Sequence, residues 1–121
     1  MQSTNSELEL PTVYVSITGL RVKKFYHYLK FLWLAIGAME QARQSSGLIR
    51  AEARTINGVH HTMSIWDNES SMRKFLVTGA HLKAMRAFKH IATGKTVGFI
   101  TINPPEWSQV HDIWIHDGRE V

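Results

Sequence analysis

His81, Met85 and Phe88 stand at positions i, i+4 and i+7 of one segment, so a helix there presents all three on a single face. An imidazole with an ordinary pKa near 6.5 can take or give a proton at neutral pH. Tyr14 and Ser16 share one face of the alternating stretch TVYVSIT, and His60, Thr62, Ser64 and Trp66 share one face of VHHTMSIW. A sheet floor built from those strands under a helical roof carrying Trp33, Phe75, His81, Met85 and Phe88 would enclose aromatic walls and a few polar groups, which suits a flat organic ligand. In that reading His81 is the candidate catalytic residue, a proton-transfer or hydrogen-bonding group. Ser16 and His60 orient the ligand, and Trp33, Trp66, Phe75 and Met85 complete the pocket. The same side chains would also serve as a packed core, with His81 bonded to a backbone carbonyl.

Other chemistries find less support. The chain has no cysteine, which removes disulfide scaffolds, thiolate zinc, iron–sulfur clusters and cysteine nucleophiles. It has seven histidines, but His60 and His61 are adjacent and point to opposite faces of a strand. No two histidines are four apart on a helix, so no metal site is expected. Glu52, flanked on its own face by Arg50 and Arg54, reads as an ion-pair member and not as half of an acid–base pair. No nucleophile elbow, P-loop or dinucleotide fingerprint occurs.

Formal net charge is +4, and its distribution is uneven: no Asp or Glu falls between Glu9 and Glu40 or between Glu69 and Glu106. Those gaps hold Lys23, Lys24, Lys30, Lys83, Arg86 and Lys89 among others, which predicts basic, solvated helix faces. Without a nucleic-acid motif or an interleaved aromatic platform, nucleic acid is not an expected partner. The longest apolar run, FLWLAIGAM at residues 31–39, falls well short of the roughly 20 residues a membrane span needs. MQSTNSELEL lacks the basic and apolar regions of a secretory signal. The expectation is a cytoplasmic protein with no membrane role.

These residues need elements to hold them. At 121 residues one domain is expected: a flexible tail over 1–10, an α+β unit over 11–103 and a C-terminal extension over 104–121. Alternation predicts a strand over 12–18 ended by Gly19, and strands over 47–58 and 59–66 joined at Asn57-Gly58. A helix is predicted over 21–44, its apolar stripe formed by Val22, Phe25, Leu29, Leu32, Ile36 and Met39. Asp67 or Asn68 caps a further helix that breaks at Thr78-Gly79 and stops at Thr93-Gly94, before a strand over 96–102. The order β-α-β-β-α-β is the ferredoxin-like antiparallel arrangement. It leaves one sheet face bare, for which a second copy is the simplest cover, and the extension packs on its own subunit or on a partner.

The run Ile65-Trp66-Asp67-Asn68-Glu69-Ser70, with Met72, Phe75 and the break Thr78-Gly79-Ala80-His81, resembles the antibiotic-biosynthesis-monooxygenase-like superfamily. His81, Ala84 and Met85 are most similar to the spheroidene-monooxygenase-like branch. The resemblance implies a dimeric α+β barrel whose subunits each hold a pocket between sheet and helices. It implies a monooxygenase, acting without metal or flavin on a hydrophobic or aromatic molecule. It equally admits a non-catalytic ligand-binding or stress-related barrel. Haem degraders of this superfamily use a strand-one Asn, the Trp and a helix His; Trp66 matches, but Ser16 and Met85 occupy the other two positions. Haem is therefore disfavoured.

Overall fold

A computed structural model describes residues 10–120, so the tail expected over 1–10 lies almost wholly outside the described residues. Strand β1 (Val13–Val22) leads through a short 3-10 turn (Phe25–His27) into helix α1 (Tyr28–Arg43). Strands β2 (Leu48–Ile56) and β3 (Val59–Trp66) form a hairpin, followed by helices α2 (Glu69–Leu76) and α3 (Gly79–Ile91). Strand β4 (Ala92–Thr101), helix α4 (Trp107–Asp117) and the two-residue β5 (Arg119–Glu120) complete the chain. The sheet is antiparallel in the order β2-β3-β1-β4-β5. This is the α+β, ferredoxin-like fold that the pattern predicts, with α4 and β5 added.

Local chemistry sets the boundaries. At the hairpin, Asn57 and Gly58 both adopt positive φ, as a tight turn matched to strand twist requires. Asn68, not Asp67, caps α2: its side-chain oxygen accepts from the Ser71 N–H at 2.9 Å. Gly19 and Gly94 end nothing; both lie inside strands. A Cβ at Gly19 would overlap the Trp114 indole, and one at Gly94 would overlap Leu20. These glycines mark close approach, a signal that reads in sequence as a break.

The β1–β3 and β1–β4 registers divide the strands into two faces. Val15, Ile17, Val59, Met63 and Ile65 pack with Val110 and Trp114 into one core cluster. The reverse sheet face is therefore not bare: α4 of the same chain covers it. Trp107 and Trp114 fasten the cover, donating to Glu52 Oε1 at 3.1 Å and to the Lys95 carbonyl at 2.9 Å. On the other face, Leu20 clusters with Phe31, Leu34, Ala84, Ile91 and Ala92, and Tyr14 with Trp66 and Met72.

Helix α1 is turned from its predicted orientation. Phe31, Leu34 and Ala42 are buried, Leu29 and Ile36 of the predicted stripe face solvent, and its Leu32 and Met39 border the space between helix and sheet. The regular spacing of the larger side chains points outward, and the inward stripe is filled partly by alanines.

Candidate functional site

Short side chains on the helix-facing side of the sheet leave space. Ser16 and Thr18 of β1, Ala51 and Ala53 of β2, Thr62 and Ser64 of β3, and Thr96 and Gly98 of β4 form the floor of a cavity of about 560 Å³. Its roof comes from α1, α2 and α3, including Phe31, Ala35, Ala38, Phe75, His81, Met85 and Phe88. The lining is mostly apolar, with hydroxyls on the floor and imidazoles at its sides, the usual make-up of a small-molecule site. Leu32, Arg54, Thr55 and Lys89 line it while exposed to solvent, and they mark where it opens.

Nine residues singled out from the sequence, Tyr14, Ser16, His60, Thr62, Ser64, Phe75, His81, Met85 and Phe88, meet in this cavity. Two do not line it. Trp66 is fully buried behind Phe75, with ring centroids 5.3 Å apart, and its indole N–H donates to Ser64 Oγ at 2.9 Å. Trp33 is 68% exposed on the outside of α1, with the Lys83 ammonium 5.3 Å over its ring. Its predicted place in the roof fails because it shares the outer side of α1 with Leu29 and Ile36.

His81 is held from several sides. Its ring packs on Phe75 with centroids 4.4 Å apart. Its backbone N–H donates to Gln41 Oε1 at 2.7 Å. Gln41 Nε2 in turn donates to the carbonyls of Phe75 at 3.2 Å and Thr78 at 2.8 Å. Gln41 thus ties the break between α2 and α3 to α1 and fixes the first turn of α3, which carries His81. Nothing in the sequence marks Gln41, because its partners are distant backbone groups. His81 Nδ1 is buried without a hydrogen-bond partner among the described residues, and such an atom carries a desolvation cost. Burial pushes the His81 pKa below the ordinary value, with the Leu76 carbonyl acting the other way. The imidazole is therefore neutral at pH 7 and able to accept a proton.

His60 closes one side. Its Nδ1 lies 2.9 Å from the Thr55 hydroxyl and its Nε2 lies 3.3 Å from the Tyr28 hydroxyl. Its ring lies against Phe31 at 4.9 Å, and desolvation lowers its pKa. The Tyr14 hydroxyl reaches over β4 at Gly98, where any Cβ would collide with it. Burial raises the Tyr14 pKa; Glu69 adds to that and Arg73 opposes it. Among the described residues no three His, Asp or Glu side chains converge as a metal site.

The fold matches solved structures across most of the chain. SnoaB, a cofactor-independent oxygenase from Streptomyces nogalater, superposes with a TM-score of 0.63 at 11% identity, covering 78% of this chain and 94% of that one. The fold is that of the antibiotic-biosynthesis-monooxygenase-like proteins. A proposed antibiotic biosynthesis monooxygenase of Deinococcus radiodurans matches with a TM-score of 0.64 at 19% identity, over 77% of this chain and 93% of its own. A Nitrosomonas europaea protein of the same description matches at 0.65 and 14%, over 78% and 91%. No protein-family model matches the sequence, and no curated protein matches it. The likeness to this monooxygenase-like fold is general and does not single out the spheroidene-monooxygenase-like branch.

Proposed function

We propose that the protein binds a hydrophobic or aromatic small molecule in the cavity between sheet and helices and oxygenates it without a cofactor. The observation that carries this reading is a largely apolar cavity of about 560 Å³ lined by the neutral imidazole of His81. His81 is the base. It takes a proton from an acidic methylene set between aromatic or carbonyl groups. The resulting carbanion gives an electron to O₂, and recombination and loss of water turn CH₂ into C=O. One O₂ is consumed, one oxygen atom enters the product and the other leaves as water, so no external reductant is needed. The floor hydroxyls of Ser16, Thr62 and Ser64, with His60, orient the developing oxyanion, a charge best stabilised by donors already in place.

The polar set of the haem degraders is not presented to this cavity. Ser16 and Met85 replace two of its members, and the third, Trp66, is sealed behind Phe75 with its N–H already bonded. No step is derived through haem. A homodimer is proposed with the second copy meeting the sheet beside Arg50, Glu52 and Arg54 of β2, since α4 covers the central strands. Sedimentation velocity with Glu52→Lys tests it, and an unchanged dimer places the contact elsewhere.

Titration with anthrone-like flat aromatics and with haem, followed by tryptophan fluorescence and oxygen uptake, tests the activity. Saturable quenching is expected, because Trp66 lies against the cavity residue Phe75. His81→Gln should retain binding and lose about a hundredfold or more in turnover. Equal turnover by His81→Gln, or no saturable ligand, sinks the reading and leaves a non-catalytic barrel.

A further inference from the structure

Helix α1 carries two apolar stripes on nearly opposite sides, and only one is buried. Leu29, Trp33 and Ile36 face solvent at 83%, 68% and 66% exposure. Phe25 and Tyr26 of the preceding turn extend the stripe at 85% and 64%. A contiguous apolar surface of this kind marks an interaction site.

Its frame is basic. Residues 23–43 and α3 together carry seven Lys or Arg against one acid, Glu40. Lys83 of α3 stands over the Trp33 ring, and Lys23 and Lys24 precede Phe25 directly. On the far side of the sheet charge is mixed: Glu106, Asp112 and Asp117 of α4 and Glu52, bonded to Trp107, stand with Arg50, Arg54 and Lys95, the last two over the Trp107 and Trp114 rings. The molecule therefore turns an apolar, basic face one way and a face of mixed charge the other.

We propose that the outer face of α1, with the Phe25–His27 turn, docks on an anionic lipid surface. Aromatic and aliphatic side chains enter the boundary between headgroups and acyl chains while the flanking lysines meet lipid phosphates. A second copy of this face would set seven bases against seven. A nucleic acid would leave Leu29 and Ile36 in water. An anionic bilayer answers both the charge and the apolar stripe. No helix among the described residues is long and apolar enough to cross a membrane, and attachment in the plane of the surface requires none. This departs from the sequence-based expectation of no membrane role and stands apart from the reading of the cavity. The two meet at Leu32, which borders the stripe and lines the cavity.

Co-sedimentation of the full chain with mixed phosphatidylcholine–phosphatidylglycerol vesicles, against phosphatidylcholine alone, tests the docking. Each base near an anionic surface strengthens attachment about fivefold, so a preference of about tenfold or more for the mixed vesicles is expected, weakening with salt. Leu29→Ser with Ile36→Ser should lower binding about tenfold while circular dichroism is unchanged, because both side chains are exposed in the free chain. Lys30→Glu with Lys83→Glu should remove the preference for anionic lipid. Failure to sediment with the mixed vesicles at low salt overturns the proposal, as does undiminished binding by either variant. Loss of a dimer in the Leu29/Ile36 variant would assign the stripe to a second copy. RNA binding without vesicle binding would assign it to nucleic acid.

Discussion

The two faces of the sheet are built from alternate residues of the same strands and have opposite fates. Towards α4, Val15, Ile17, Val59, Met63 and Ile65 fill the space completely. Towards α1 and α3, Ser16, Thr18, Thr62, Ser64 and Thr96 are too short to reach the roof, and Ala35 and Ala38 do not reach down. Protein interiors ordinarily pack as densely as organic crystals. A hollow of about 560 Å³ beside a filled layer thus reflects a choice of residue types, not a failure of packing. The filled face holds the fold, and the hollow face is free to bind.

Deleting a large side chain from each face separates these roles most sharply. Trp114→Ala removes an indole that seats on Gly19 and bonds the Lys95 carbonyl, and should cost about 3–5 kcal/mol. Thr62→Ala on the hollow floor should cost about 1 kcal/mol or less. Urea midpoints at unchanged m-values measure both. Comparable losses would mean that the hollow face is as tightly packed as the filled one.

Adding carbon gives the converse, smaller effect. Val15→Leu overpacks the filled face and should cost about 1–3 kcal/mol. Ala35→Leu enters the cavity, so its stability should stay within about 1 kcal/mol of the parent while ligand quenching disappears. A large destabilisation by Ala35→Leu would show that the roof cannot accept the volume the hollow offers.

How much of this was legible depends on what each residue answers to. Strand alternation placed Tyr14, Ser16, His60, Thr62 and Ser64 on the side that faces the cavity, because period two is local chemistry. The i, i+4, i+7 spacing did the same for His81, Met85 and Phe88. The α1 stripe misled, because two stripes of apolar residues compete on one helix and the choice between them is tertiary. Trp33 went wrong with it. Gly19 and Gly94 read as stops because a glycine needed for a neighbour's close approach looks the same in sequence as a glycine that ends a strand. Gln41 left no trace, and neither did α4's return to its own sheet, which rests on the Trp107, Trp114 and His111 contacts with distant strands.

The smallest effect at neutral pH lies in the histidines that each face buries. On the filled face, His61 is 1% exposed, its Nδ1 3.3 Å from the Thr18 carbonyl and its Nε2 2.8 Å from His111 Nδ1. Desolvation lowers its pKa, the Thr18 carbonyl opposes that, and His111, Arg21 and His60 add to the lowering. On the hollow face, burial lowers His81 in the same direction. The unfolded chain binds these protons near pH 6.5 and the folded chain resists them. The stability they contribute is thus fully present above about 6.5 and is lost as pH falls from there through the depressed folded values. Urea midpoints measured between pH 7.5 and 5 should therefore fall in the parent. They should fall less in His61→Phe, whose buried site no longer titrates. They should also fall less in His81→Phe. A ligand that occupies the cavity and bonds neutral His81 should steepen the acid loss in the parent and leave the His81→Phe profile unmoved. Identical profiles with and without that ligand would mean that His81 does not meet it, and that the hollow face holds its histidine only as packing.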